Sequence, residues 1–332
     1  MKIAGLNRKI VIDQMKEYSS SLLHYKANYL PLIFTNPELV GEHAAYICPI
    51  CLEKWIVAER SVGIAWNEEF TFDHFPPQSV GGFLKVLVCK SCNNNAGRWY
   101  EHALKDKLDH MSFQERKPSS QISINSKIEG VPGNYRSKFG VMKNGKIEVI
   151  LKPQTKAHTP FLDRWIAESS NNNDWKAHIT IHNPDEKNVT KSLLKAAYLH
   201  AFHFWKYEFI YSDNTEKLRN VLKGETEYPV RVPFSFLGES VRKNRIKQFP
   251  LGVCEIQKPL SCRAFVVNIL LQKKEAKFRE IASVLIPSPI PEGWDNMKII
   301  QDMLDKSEER KLDVSMAHAT GGYLQSWDKL MF

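Results

Sequence analysis

The sequence lacks any run of about eighteen apolar residues, the length that a membrane-spanning helix requires. This absence excludes an ordinary transmembrane helix, and we expect no membrane partner. The first residues mix charged side chains with apolar ones and so do not resemble a secretory signal. We therefore expect a cytoplasmic protein. The chain also has no internal repeat and no low-complexity tract, which argues against a solenoid or a disordered protein.

Cysteine is scarce, with six in 332 residues, and a disulfide framework is not expected without a secretion signal. Four of the six form two Cys-x-x-Cys pairs, Cys48 with Cys51 and Cys89 with Cys92. Each pair directs two thiolates to one point, and two pairs complete a tetrahedral Zn²⁺ site. Because four thiolates close the coordination sphere, the spacing predicts a structural zinc. A redox role for such a pair is the alternative.

Basic residues exceed acidic ones, 46 Lys and Arg against 37 Asp and Glu, which gives a formal charge of +9. A surplus of this size favours a polyanionic partner, because neutralised phosphates release counterions. The run Arg242–Lys247 is either a solvated surface or a phosphate-binding patch. The proportion of hydrophobic residues, 43%, is typical of a globular protein.

The chain divides by pattern into three segments: a helical segment over 1–45, a cysteine-rich block over 46–111 and a larger domain over 120–332. Helical spacing of apolar residues predicts a helix over 9–33, and a polar stretch predicts a linker over 112–122.

Further elements are predicted from local signals. A helix is expected after Cys92, with Asn93 as its cap. The pair Asn144-Gly145 between alternating apolar runs predicts a hairpin. An almost wholly apolar stretch after Asp185 predicts the central helix of a mixed α+β domain.

A second motif lies between the cysteine pairs. Asp73-His74 is followed by Pro77 and Gly81-Gly82, and Asn93 directly follows the second pair. This order resembles the zinc-containing HNH (ββα-metal) endonucleases over residues 48–104. The resemblance implies an α+β fold, in which a zinc-stapled ββα-metal nuclease module precedes a larger mixed α+β domain.

The resemblance also implies a role for each motif residue. His74 is the expected general base that activates water, and Asp73 and Asn93 are the expected ligands of a catalytic Mg²⁺ or Mn²⁺. Phosphodiester hydrolysis requires such a base and a cation near the phosphate, and histidine can act as a base near neutral pH. We therefore predict a nuclease that binds nucleic acid, DNA rather than RNA.

Two details of the motif leave alternatives open. Leu84 stands where one common layout of the family has an Asn that orients the base, so a backbone carbonyl or another polar residue is expected to hold His74. In a second register Asn93 orients the base and His102 is a metal ligand. Glu101 is a further candidate for the acid on this helix.

A zinc-ribbon module that binds nucleic acid or protein without catalysis is the rival prediction. The pair Asp73-His74 favours the nuclease, because a pure binder does not require it. HNH modules with large appended domains are often bacterial defence or mobile-element nucleases. By that association, we expect an effector of antiviral defence or of a mobile element. Its C-terminal domain is expected to serve targeting, regulation or assembly, with a regulatory protein or ligand as partner.

Overall fold

A computed structural model describes residues 8–24, 44–59, 63–66, 69–153, 155–169, 176–237, 251–306 and 313–316. The predicted mixed α+β fold is confirmed. No described helix has the length and apolarity needed to cross a membrane. The basic run Arg242–Lys247 lies outside the described residues, as does the part of the predicted first helix beyond His24.

The chain forms two compact units, and their residue limits do not coincide with those of the three predicted segments. The first unit combines residues 1–102, 187–271 and 280–332, and the second combines 103–186 and 272–279. Residues from 187 onwards therefore belong largely to the same unit as the cysteine-rich block. The predicted limits 1–45, 46–111 and 120–332 follow local patterns, which do not register contacts between distant parts of the chain. The sequence pattern also predicts that the segment from 120 onwards folds independently, and a fragment experiment is needed to test this.

The N-terminal part of the first unit contains a helix and two small antiparallel sheets. Its elements are α1 (Arg8–His24), the sheet β1 (Ala44–Ile47), β2 (Trp55–Glu59) and β3 (Gly63–Trp66), and the hairpin β4 (Phe70–His74) and β5 (Lys85–Cys89). Helix α2 (Lys90–Ala96) follows β5 and continues through a π-helical turn, Gly97–Glu101. The predicted cap is wrong: Cys89 is the cap residue, so Asn93 lies inside the helix.

The C-terminal part of the first unit is built on a long buried helix. Its elements are α5 (Glu186–Ile210), α6 (Asp213–Lys223), α7 (Gly293–Asp305) and an antiparallel sheet of order β10-β13-β12-β11-β14, formed by Phe234–Phe236, Phe278–Pro287, Ala264–Lys273, Gly252–Lys258 and Asp313–Met316. The predicted central helix is confirmed, and residues 192–202 are all buried because apolar side chains surround the helix.

Three buried tyrosines join α5 to the residues around the first cysteine pair. The Tyr207 hydroxyl accepts from the Ile47 amide at 2.7 Å and donates to the Ile47 carbonyl at 2.5 Å. The Tyr198 hydroxyl donates to the Pro49 carbonyl at 2.5 Å. Tyr46 stacks edge-on to Tyr207 at 6.0 Å, and its hydroxyl donates to the Leu87 carbonyl on β5. A helix from the second half of the chain therefore supports the cysteine-rich block directly.

The second unit is a four-stranded antiparallel sheet with helices. Its elements are α3 (His102–Gln114), α4 (Thr159–Ser169) and a sheet of order β8-β7-β6-β9, formed by Ile147–Pro153, Tyr135–Val141, Gln121–Ile128 and Ala177–Ile181. The hairpin around Asn144-Gly145 is confirmed, and Gly145 has the positive φ of 82° that favours glycine there. The predicted linker is wrong in extent, because Ser112 is buried within α3 and only 115–120 separate α3 from β6.

Candidate functional site

The two cysteine pairs meet at one point. The sulfurs of Cys48, Cys51, Cys89 and Cys92 all lie within 4.8 Å of one another, and the Cys51 and Cys89 sulfurs are 3.9 Å apart. A tetrahedron with zinc–sulfur bonds of about 2.3 Å has sulfur–sulfur edges of about 3.8 Å. None of the four forms a disulfide. The cluster can therefore hold a metal ion such as zinc.

The local backbone explains how the thiols converge. Cys48 directly follows β1, where its amide donates to the Lys54 carbonyl at 2.7 Å and its carbonyl accepts from the Leu52 amide. Cys89 ends β5, and its amide donates to the Cys48 sulfur at 3.4 Å. Burial raises the pKa of the Cys48 thiol well above its ordinary value. A thiolate at this position therefore needs a bound cation, which the geometry of the cluster allows.

The motif residues occupy a strand–strand–helix unit beside this cluster. β4 pairs with β5 so that Asp73 lies opposite Val86 and His74 opposite Lys85. The loop between the strands requires both of its glycines. Gly81 has a φ of 90°, and a Cβ on Gly82 would lie 1.5 Å from the Pro76 carbonyl oxygen. The Pro and Gly-Gly of the motif therefore shape the turn that ends β4.

Asn93 of α2 contacts the strand that ends in Asp73-His74. Its side-chain amide donates to the Thr71 hydroxyl at 2.9 Å and to the Phe72 carbonyl at 3.5 Å. Thr71 and Asp73 lie on one face of the strand, because side chains alternate, and His74 lies on the other. The structure thus places Asn93 against the same strand face as Asp73.

His74 is partly exposed at the end of β4. Burial lowers the pKa of His74 below its ordinary value; Asp73 opposes this effect and Lys85 adds to it. The imidazole is therefore mainly neutral at pH 7 and able to accept a proton. Among the described residues no hydrogen bond holds the imidazole, and the Leu84 carbonyl accepts instead from the Phe75 amide at 3.0 Å. The prediction that a backbone carbonyl or another polar residue holds His74 therefore stays a prediction.

Asp73 belongs to a buried cluster of charges that the sequence did not predict. The ammonium of Lys195 on α5 contacts the Asp73 carboxylate and lies 2.5 Å from a carboxylate oxygen of Glu101. Burial acts to lower the pKa of Lys195, but the two carboxylates outweigh it and raise that pKa above the ordinary value. Burial also raises the pKa of Glu101, against the effect of Lys195. Lys195 is thus a charged, buried lysine between two acids.

One sequence signal could have identified Lys195. Lys195 interrupts an otherwise apolar stretch of the central helix, so the sequence pattern places it among buried residues. A buried lysine is rare unless it is paired with an acid, and this could have indicated a buried ion pair. Glu101 ends the π-helical turn that continues α2, and His102 beside it is exposed. The structure therefore brings Glu101, but not His102, to Asp73. Within the described residues His102 is also outside the metal-binding cluster of cysteines.

The chain matches no protein-family model, no curated protein and no solved structure.

Proposed function

We propose that this protein is a metal-dependent nuclease of the HNH type that hydrolyses phosphodiester bonds in DNA. One observation supports the proposal above all: Asp73-His74 ends the first strand of a strand–strand–helix unit whose helix places Asn93 against that strand. A pure zinc-ribbon binder has no need of this arrangement. The adjoining cysteine cluster would hold a structural Zn²⁺ that fixes the end of β5 and the start of α2.

His74 is assigned as the general base. Its lowered pKa keeps the imidazole neutral near pH 7, so it can take a proton from the attacking water. His74 lies where β4 ends and the loop to β5 begins, and its imidazole makes no hydrogen bond to a described residue. Its ring nitrogens are therefore available to bind the attacking water. Lys85, opposite His74 on β5, adds a positive charge at the same end of the hairpin.

Asp73 and Asn93 are assigned to hold the catalytic cation. Carboxylate and amide oxygens are donors that Mg²⁺ and Mn²⁺ accept. When bound, the cation would supply neutralisation of the negative charge that develops on the phosphate. In the structure Lys195 provides the positive charge beside Asp73, so Lys195 and a divalent cation would compete for that carboxylate.

The deciding experiment compares His74→Ala with the control His102→Ala, which removes an exposed histidine at the start of α3. Both variants and wild type are assayed on plasmid and single-stranded DNA, with Mn²⁺ or with EDTA. His74→Ala should lose about 10²–10⁴-fold in cleavage rate while it keeps its zinc and its affinity for DNA. His102→Ala should cut normally.

Three other outcomes have defined meanings. Equal cleavage by His74→Ala and wild type would refute the assignment of the base. Loss of activity in His102→Ala, with restored activity at high Mn²⁺, would favour the second register. If wild type binds DNA and never cuts it, the zinc-ribbon binding module becomes the better proposal. The regulatory protein or ligand expected at the C-terminal domain, and a role in defence, stay predictions.

A further inference from the structure

The four-stranded sheet of the second unit has one exposed face that is rich in positive charge. Directly opposite residues of antiparallel strands point to the same side of a sheet. Arg136 on β7 lies opposite Lys152 on β8, and Lys138 lies two residues further along β7 on the same side. Lys127 on β6 lies opposite His178 on β9. We call Lys127, Arg136, Lys138 and Lys152, all exposed, the basic face.

The charges of the basic face are not balanced by the sheet itself. None of its four cations forms an ion pair with a described carboxylate. Within the described strands Glu148, opposite Gly140, is the one acid on this side. Like charges directly opposite each other destabilise a sheet, and Arg136 and Lys152 are such a pair. Local rules of this kind are broken mainly where function requires it.

We propose that the basic face binds the sugar-phosphate backbone of double-stranded DNA. Contacts from Lys and Arg to phosphates supply most of the sequence-independent affinity for DNA. Polar side chains lie among the cations: Asn125 is opposite Arg136, and Ser123 is opposite Lys138. No Phe, Tyr or Trp of the described strands is on this side, so the face lacks the large aromatic rings on which the bases of single strands usually stack.

The choice of DNA rests on the proposed function, but binding by this face does not depend on cleavage. The experiment therefore uses the full chain in EDTA with a labelled DNA duplex, and measures fluorescence anisotropy between about 50 and 200 mM salt. The test variant is Arg136→Gln with Lys138→Gln. The control is Lys223→Gln with Lys274→Gln, which removes the same charge from exposed positions outside this face.

The test variant should bind the duplex about tenfold more weakly, and its slope of log affinity against log salt should be shallower by about 1.8, or about 0.9 for each lost phosphate contact. The control should bind nearly as wild type does. Glu148→Gln should bind more tightly, a gain that a folding defect cannot imitate. Circular dichroism checks that all variants are folded.

The proposal is overturned if the test variant and the control bind equally, if Glu148→Gln binds more weakly, or if single-stranded DNA or double-stranded RNA is preferred. These results are independent of the base assignment. If DNA binding does not depend on the basic face but cleavage requires His74, the proposed function stands and this inference does not. If DNA binding requires the basic face but the protein cleaves under no condition, this inference stands and the proposed function does not.

Discussion

The ammonium of Lys195 contacts the carboxylate of Asp73, and each of these side chains is only 3% exposed. The same ammonium contacts Glu101, which is 15% exposed. Two acids in a buried setting are therefore stabilised by one cation, and this cation comes from the central helix rather than from the cysteine-rich block. Several expected properties of the protein depend on this contact.

Lys195→Met should destabilise the protein by about 3–5 kcal/mol, because it leaves two buried carboxylates without their cation. Denaturation by urea at pH 7 measures the change. Lys191→Met, on the same helix and outside this cluster, is the control and should change stability by less than about 1 kcal/mol. Adding Asp73→Asn and Glu101→Gln to Lys195→Met should recover part of the loss. If Lys195→Met is about as stable as wild type, the contacts of Lys195 with Asp73 and Glu101 contribute nothing to the free energy of unfolding.

Mn²⁺ should stabilise Lys195→Met more than it stabilises wild type. Without the Lys195 ammonium, no cation of the protein competes with Mn²⁺ for Asp73 and Glu101. A ligand that binds only the folded state raises the free energy of unfolding by about 2.7 kcal/mol when its concentration is about 100 times its Kd. Thermal unfolding with increasing Mn²⁺ measures the difference in Tm. Asp73→Asn in the same background should abolish it. Equal shifts in wild type and Lys195→Met would mean that Lys195 does not compete with a divalent cation for these carboxylates.

Cys89→Ser should lose the metal and the folded state together. Binding to a four-thiolate site is itself folding free energy, on the order of 10 kcal/mol in small zinc modules. Elemental analysis should find one zinc per chain in wild type and in Cys254→Ser, a buried cysteine outside the cluster, but not in Cys89→Ser. Well-folded wild type without zinc would contradict the structural role.

Acid should destabilise the protein through His200, which is buried on α5 beside the Phe75 ring. Burial lowers the pKa of His200 to about 4, against an ordinary value of 6.5. The unfolded chain therefore binds a proton that the folded chain excludes, so stability is full above pH 6.5 and is lost as the pH falls towards 4. At about 1.4 kcal/mol per pKa unit, the loss is on the order of 3 kcal/mol.

The check is urea denaturation of wild type and His200→Gln between pH 7 and pH 4. The variant should be less stable at pH 7 and should lose less stability on acidification, because its side chain does not titrate. Parallel pH profiles for the two proteins would assign the acid sensitivity to other groups.

A fragment that begins at residue 120 should aggregate, in contrast to what the sequence pattern suggests. It would retain α5 but lose the partners of Tyr198 and Tyr207 around the first cysteine pair, and Lys195 would lose both of its acids. Gel filtration of the fragment and of the full chain tests this outcome. A soluble fragment with a cooperative unfolding transition would restore the predicted independent domain.

The sequence by itself determined the features that depend on neighbouring residues. The spacing of the four cysteines predicts their meeting, since each pair is a local turn, and Asn144-Gly145 predicts its hairpin from the backbone preference of glycine. The apolar stretch after Asp185 likewise predicts a buried helix. It could not show what that helix packs against.

Only the tertiary structure decided which distant residues share a buried environment. Lys195 and Asp73 belong to one charge cluster because α5 packs beside β4, and no local pattern records that contact. For the same reason Glu101 joins the cluster while His102, its neighbour in the chain, is exposed. A charge is costly to bury alone but stable beside an opposite charge, so the identity of its partner is a property of the folded chain.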